Sequence, residues 1–302
     1  MNMAYKFLKE NYNYVYLKSR LNSLTSFSDG INLVVGSSHS LNGIDSYCDN
    51  SILNLSMHSQ DIYYDCKFVK EVILNKGIKN IKNIIFMFGY YIMYQDLSRS
   101  INERNNLIDL VYFPLFADGH NVDYSLKNTL WDAYDIKDDN VKKEIEYMAC
   151  DILKDRKNYY NEFRNRTPFF DFKGKAWREL DNEERLQFGQ ARASMHNKIL
   201  KYKDSFDENK KCLEDTIKII KDNMIDVYFI IPPFSDEYNK YVSYELKSNV
   251  TNYFLELEEV KYIDFNMIES VVEMGDFVDT DHMNGRGAYK FTKTLFDEFI
   301  CK

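Results

Sequence analysis

Short apolar runs recur along the chain and predict buried strands. The first run reaches Gly36, and a β-branched run stopped by a glycine is typical of a strand that ends at a turn. The run at 84–89 is unbroken rather than alternating, which favours a strand with both sheet faces covered. The strands predicted in this way are 31–35, 84–89, 226–231 and 260–265, with a weaker candidate at 54–56.

The segments between these runs have helical patterns. We expect a helix over 60–76, an acidic helix over about 236–257 and an amphipathic closing helix over 287–300. Strands separated by helices need crossover connections, so the sheet should be mostly parallel and the fold α/β. The sequence predicts one domain over 1–302, with a mainly helical insertion at about 100–225. Within that insertion, the segment around Trp177 is predicted to pass over the sheet.

Composition and charge restrict the class of protein. The chain has 302 residues, 45% of them hydrophobic, which is enough to bury a large core. Its formal net charge of -8 argues against a nucleic-acid partner, because such proteins need a basic face. No apolar stretch is long enough for a signal peptide or a transmembrane segment, so we expect a cytoplasmic protein. Its five dispersed cysteines predict reduced thiols rather than disulfides or a zinc site.

The residues that follow the strands carry the candidate chemistry, because ligands bind at the carboxyl ends of parallel strands. Gly36-Ser37-Ser38 follows the first strand, and a glycine turn can expose Ser38 at a helix start. A hydroxyl becomes a useful nucleophile only when a base takes its proton. Near the other end of the chain, Asp279 stands three residues before His282. At that spacing on one turn, a carboxylate can orient the imidazole that serves as this base.

These two segments resemble the first and last blocks of the SGNH (GDSL-like) hydrolases. Gly36-Ser37-Ser38 is similar to their Gly-Asp-Ser, and Asp279 to Ala288 is similar to the Asp-x-x-His-Leu-Asn-x-x-Gly-Ala of bacterial carbohydrate-acyl members. The resemblance implies a three-layer α/β/α, flavodoxin-like fold and chemistry through an acyl-serine. It also implies that Ser38, Asp279 and His282 form a catalytic triad and that the Ser38 N–H stabilises the oxyanion. No metal or organic cofactor is implied.

The sequence departs from the family in its middle blocks. The glycine of the second block is missing, and Ser56 is the predicted replacement as an oxyanion donor. The asparagine of the third block is also missing, with Tyr91 or Gln60 predicted in its place. Losing one such donor costs about 3–4 kcal/mol of transition-state stabilisation, which predicts weak activity on simple esters.

Other residues keep two interpretations open. His39 either lines the pocket or faces solvent. Asp281 either tunes the pKa of His282 or is an exposed carboxylate, and the exposed position is expected. His196, in the insertion, is expected at the surface. Tyr90, Tyr91 and Tyr94 either stack on a sugar ring or pack in the core.

Two classes of function remain open at the level of the sequence. The first is a serine-dependent hydrolase or acyltransferase acting on an ester, with the O-acyl group of a carbohydrate or glycan precursor as the expected substrate. The second is a binding or assembly protein that keeps the fold with little or no activity. A phosphate site at the serine turn is a weaker third hypothesis, because the turn has no lysine and no Gly-x-x-x-x-Gly-Lys pattern. The oligomeric state is not predicted.

Overall fold

The computed structural model describes residues 11–27, 30–75, 80–100, 104–122, 137–152, 168–258 and 260–300. The chain divides into two units, residues 1–28 with 96–165 and residues 29–95 with 166–302. The insertion predicted at about 100–225 is therefore divided between them, and the single domain over 1–302 stays a prediction. No helix in the described ranges has both the length and the apolar character needed to cross a membrane.

The larger unit contains a five-stranded sheet in which every pairing is parallel, with strand order β2-β1-β3-β4-β5. This confirms the predicted α/β class with its parallel sheet. Each of the four clear predictions overlaps a strand over most of its length, whereas the weak candidate at 54–56 shares only its first residue with a strand. The strands are β1 Ile31–Gly36, β2 Ile52–Asn54, β3 Ile81–Met87, β4 Asp226–Ile231 and β5 Lys261–Asp264.

Helices make up most of the remaining described structure. The α-helices are α1 Tyr12–Asn22, α2 Ser38–Gly43, α3 Ile62–Lys70, α4 Phe113–Phe116, α5 Asp139–Ile152, α6 Asn182–Asn197, α7 Lys203–Asp222, α8 Asp236–Asn239, α9 Tyr244–Leu255 and α10 Gly285–Thr294. Wider π-helical turns cover Glu71–Asn75, Arg104–Tyr112 and Leu295–Ile300. Short 3₁₀ turns cover Ser23–Ser26, Ile92–Tyr94, Leu97–Arg99, Trp177–Glu179, Lys198–Lys201 and Met274–Asp276. The acidic helix predicted over 236–257 is interrupted and forms α8 and α9.

Helices cover both faces of the sheet, which gives the three layers. On one face, Val34, Ile85 and Ile230 pack in a cluster with Phe291 of α10. Trp177 is fully buried in the same cluster, which places its segment against the sheet as expected. On the opposite face, the rings of Phe86 and Phe229 stack at 5.0 Å, and Phe229 stacks on Phe254 of α9 at 4.4 Å. Both faces are therefore dry, which explains why the central strands are apolar at nearly every position.

The smaller unit is helical in its described residues. Helix α1 packs against α5 and against the Arg104–Tyr112 turn. Apolar side chains are buried in each of these elements. They include Tyr14, Leu17 and Leu21 of α1, Ile108 and Val111 of the turn, and Ile145 of α5.

Candidate active site

The end of β1 forms a turn that only glycine permits. Gly36 has a φ of +147°, and a Cβ at this position would lie 2.0 Å from the carbonyl oxygen of Met87 on the neighbouring strand. The chain therefore passes very close to β3 as it leaves the sheet. Ser37 follows in an extended conformation, and Ser38 begins α2 with its side chain half-buried. The N–H of Ser38, at the first helical position, has no acceptor within its own helix.

A tight loop presents the acid and the base from the other end of the chain. Phe277 and Met283 form an antiparallel bridge, and the N–H of Val278 donates to the carbonyl of His282 over 2.9 Å. Asn284 then ends the loop, because its Oδ1 accepts the N–H of Gly287 at 3.1 Å and caps α10. The bridge and the cap hold both ends of the 278–282 turn, so its side chains have little freedom.

Ser38, His282 and Asp279 lie in a hydrogen-bonded row. The Oγ of Ser38 is 2.8 Å from Nε2 of His282, and Nδ1 of His282 is 3.1 Å from each carboxylate oxygen of Asp279. A carboxylate only accepts hydrogen bonds, so Nδ1 carries the proton and the lone pair of Nε2 faces the hydroxyl. The turn and the loop, some 240 residues apart, thus meet within hydrogen-bond reach.

Backbone groups hold the Asp279 carboxylate in place. Its Oδ1 accepts the N–H groups of Asp281 at 3.0 Å and His282 at 2.9 Å, and its Oδ2 accepts the N–H of Phe169 at 2.8 Å. Asp279 is only 1% exposed, so these bonds replace the water that would otherwise solvate its charge. The carboxylate therefore has one well-defined orientation toward His282.

A second buried carboxylate and histidine lie beside this row. Asp281 is 2% exposed, so the expectation of an exposed side chain is wrong. Its Oδ2 is 3.1 Å from Nε2 of His39, and Nε of Arg192 on α6 donates to both of its oxygens at 3.1 Å. His39 is also buried, and its ring stacks on that of His282 at 4.8 Å with 14° between the planes. Of the two interpretations of His39, the solvent-facing one is wrong.

Burial and neighbouring charges act against each other on these groups. Burial lowers the pKa of His282, but Asp279 and Asp281 outweigh it and raise that pKa above the ordinary 6.5. Burial also lowers the pKa of His39, and its hydrogen bond with Asp281 does not fully offset this. Burial would raise the pKa of Asp281, but Arg192 and the two histidines hold it well below the usual range. His282 is thus the more basic of the two stacked imidazoles.

The structure brings Tyr91 to the serine turn. The Tyr91 hydroxyl lies close enough to the side chains of Ser37 and Ser38 for them to lower its pKa, but burial outweighs them and raises that pKa. The phenol therefore keeps its proton and can donate a hydrogen bond. Its ring stacks on His196 at 4.0 Å, and Nδ1 of His196 is 2.5 Å from the hydroxyl of Tyr238. His196 is only 7% exposed, so its expected surface position is wrong.

Ser56 and Gln60, the other two predicted donors, are engaged in a buried network. Ser56 donates its Oγ–H to Ser40 Oγ at 2.6 Å, and its backbone N–H donates to the side chain of Asn54. The amide of Gln60 donates to the carbonyl of Leu55 and to Asp65. Both side chains are fully buried. In this arrangement, neither residue offers these donors to the space beside the Ser38 hydroxyl.

The tyrosines predicted to stack on a sugar are buried, whereas Phe169 is exposed beside the site. Tyr90 donates its hydroxyl to Asp264 at 2.6 Å, and the Tyr94 hydroxyl accepts from an asparagine of α9 at 2.9 Å. Phe169 is 48% exposed, and its ring lies 3.8 Å from Cζ of Arg192. Neither Phe169 nor Arg192 was predicted from the sequence as a site residue. For Phe169, the available signal was the aromatic run from Pro168 to Phe172 in a polar region.

The same histidines and carboxylate also lie close enough to be considered as metal ligands. His39, Asp281 and His282 present ligand atoms within 4.8 Å of one another. However, Arg192 occupies both oxygens of Asp281, and Nε2 of His282 faces Ser38. A bound cation would have to displace the guanidinium, so this donor set fits a hydrogen-bond network better than a metal site.

The chain matches no model of a known protein family, and a search of curated proteins finds no match. The resemblance of the serine turn and of the 279–288 segment to SGNH hydrolases therefore depends on these residues alone. The meeting of the two segments is what that resemblance implies, because a triad of Ser38, Asp279 and His282 requires it.

Proposed function

We propose that the chain is a serine-dependent esterase or O-acyltransferase of the SGNH type. The observation that supports this most directly is the 2.8 Å separation between Ser38 Oγ and Nε2 of His282, with Asp279 on the opposite nitrogen. A serine that only capped a helix would not need a buried imidazole and a carboxylate in line with it.

In the proposed reaction, Ser38 Oγ attacks the carbonyl carbon of an ester and gives its proton to Nε2 of His282. The tetrahedral intermediate then collapses: the bond to the leaving oxygen breaks, and that oxygen takes the proton from His282. This leaves an acyl group on Ser38. Water or an acceptor hydroxyl next gives its proton to His282 and attacks the acyl carbon. Ser38 leaves as the alcohol when His282 returns the proton, with Asp279 stabilising the imidazolium in both halves.

The negative charge on the tetrahedral oxygen needs donors that are already in position. The backbone N–H of Ser38 is one candidate, and the hydroxyl of Tyr91, a buried side chain beside the serine turn, is the other. The donors of Ser56 and Gln60 are engaged elsewhere. A site with two donors instead of three loses about 3–4 kcal/mol, which is why slow turnover is expected.

A carbohydrate ester is the favoured substrate class. The 279–288 segment resembles members that act on carbohydrate acyl groups, and the exposed ring of Phe169 beside the acid loop is a surface on which a sugar could stack. No organic cofactor enters any step of this reaction.

Labelling with a fluorophosphonate tests the proposal, because this reagent modifies only an activated serine. Wild type should be labelled and should turn over p-nitrophenyl acetate, and Ser38→Ala should lose both activities. Ser194→Ala is the matched control, since Ser194 is exposed on α6 and should label like wild type. An unlabelled wild-type protein would reject the enzyme and favour the binding or assembly protein that keeps this fold.

A further inference from the structure

A chain of four buried side chains runs from α6 to the catalytic imidazole. Arg192 donates to both oxygens of Asp281, Asp281 bonds His39, and His39 stacks on His282. The three residues added to the triad are between 2% and 7% exposed. None of them touches the Ser38 hydroxyl through a hydrogen bond in the described structure. Their side chains approach the triad at His282, through the ring stack of His39 and the carboxylate of Asp281.

We infer that Arg192, Asp281 and His39 are positioning residues that hold the His282 imidazole between Ser38 and Asp279. This inference rests on the proposed function, because the position of His282 matters only if His282 serves as the base.

The stack on His39 fixes the plane of the His282 ring. An imidazole bonded only along its Nδ1–Nε2 axis can still tilt about that axis, and the near-parallel face of His39 opposes this tilt. His39 is itself fixed on its other sides. Ser37 Oγ lies 3.4 Å from its Nδ1. The ring of Phe234 packs edge-on with 5.1 Å between the ring centroids, and the ring of Tyr91 has its centroid 5.8 Å away.

Asp281 and Arg192 hold His39 and also set the charge around His282. Asp281 Oδ1 lies 3.6 Å from Nδ1 of His282 and accepts the hydroxyl of Thr280 at 2.8 Å. The carboxylate favours protonated His282, whereas the guanidinium disfavours it. The titratable and charged groups that act on His282 from its own loop, from α2 and from α6 are Asp279, Asp281, His39, Arg192 and His196.

Asp281 and Arg192 carry opposite charges, so substitutions that remove them should shift the pKa of His282 in opposite directions. In Asp281→Asn, the pKa of His282 should fall by about one unit, because a negative charge is lost. In Arg192→Met, it should rise by a similar amount, because the carboxylate is left uncompensated. The double variant should return it close to the wild-type value. It also keeps the test valid if one of the single variants fails to fold, since it buries no unpaired charge.

Two measurements report this pKa. The imidazole proton of His282, assigned with His282→Gln, is followed by NMR as the pH changes, and fluorophosphonate labelling is measured over the same range. The acid midpoint of labelling should move down in Asp281→Asn and up in Arg192→Met. Arg185→Met is the matched control, because Arg185 also lies buried on α6 but pairs with Glu237. It should leave both midpoints unchanged.

The stack is tested by a pair of substitutions at His39. His39→Phe keeps an aromatic face against His282 and should label within a few-fold of wild type. His39→Ala removes the face and should label roughly 10- to 100-fold more slowly. Equal labelling of wild type and His39→Ala, or pKa shifts of the same sign in the two charge variants, would overturn the inference. If wild type never labels while the NMR shifts are opposite, the proposed function fails and the coupling of these residues to His282 stands.

Discussion

Asp279→Asn separates the charge of the acid from its shape. Asparagine has almost the same size, but one of its two terminal atoms is a donor. In the structure, Oδ1 accepts two backbone N–H groups and Oδ2 accepts one, from Phe169, and each oxygen is 3.1 Å from Nδ1 of His282. The amide oxygen should therefore take the Oδ1 position, and the amide NH₂ should face the Phe169 N–H and His282.

Two costs follow from this placement. Two donors facing each other in a buried site lose about 1–3 kcal/mol of folding free energy. The NH₂ group also favours the tautomer of His282 with an unprotonated Nδ1, whose Nε2 carries the proton and cannot accept one from Ser38. A wrong tautomer of this kind costs up to about 10⁴-fold in turnover, or ~5.5 kcal/mol. Because Oδ1 would still accept from Nδ1 at 3.1 Å, we expect a loss of about 10²- to 10⁴-fold.

The assay is kcat/KM with p-nitrophenyl acetate beside the rate of fluorophosphonate labelling, with thermal unfolding measured on the same preparation. Asp171→Asn serves as a control, since Asp171 is exposed in the segment that contacts Asp279. Turnover within tenfold of wild type in a folded Asp279→Asn protein would refute the role of the carboxylate in orienting His282.

Three further outcomes are expected. Gly36→Ala should lower the free energy of unfolding by at least about 3 kcal/mol in chemical denaturation, because its Cβ would lie 2.0 Å from the Met87 carbonyl oxygen. Gly285→Ala is the control and should not lower it, because the space at its Cβ is open. Esterase activity should fall as the pH drops through the pKa of His282, with a midpoint above 6.5 in a kcat/KM profile, because only the neutral imidazole accepts a proton; a flat profile would contradict this. Phe169→Ala should raise KM for an acetylated sugar about 3- to 10-fold and leave p-nitrophenyl acetate nearly unchanged, and equal effects on both substrates would reject sugar stacking.

Much of the framework could be predicted from the sequence because its signals are local. Residues such as Leu33 and Ile84 occupy apolar runs of strand length. The segments between such runs have helical patterns, and helices between strands imply crossover connections in a parallel sheet. The same is true of the site: a glycine at the end of a buried strand and an Asp-x-x-His turn before the last helix are short patterns. Their meeting follows from the topology, since β1 lies inside the sheet and α10 packs against α2.

The rest of the site depended on contacts that no local pattern encodes. Arg192 lies 89 residues from Asp281, and His196 lies in a helix that the sequence marks only as polar. Helix α6 reaches this position because Gly189 contacts the Glu237 backbone, where a Cβ would come within 2.5 Å. Ser56 was predicted as an oxyanion donor because its hydrogen-bond partners cannot be seen in the sequence. A serine after a strand looks available in sequence, and only the structure shows that Ser40 accepts its hydroxyl proton.

The two carboxylates near His282 create a conflict that Arg192 relieves. In the proposed reaction Asp279 orients the ring, and a base whose pKa lies far above neutrality would stay protonated and unable to accept a proton from Ser38. Asp281 adds to this effect, since its Oδ1 lies 3.6 Å from Nδ1 of His282. Because Arg192 binds both oxygens of Asp281, it offsets that second charge and lowers the pKa of His282. The same carboxylate can then hold His39 in the stack while Arg192 limits the rise in the pKa of His282. In the proposed reaction, the Arg192–Asp281 ion pair thus serves both the ring stack and the base, which is why substitutions of Arg192 and Asp281 should shift the acid midpoint of labelling in opposite directions.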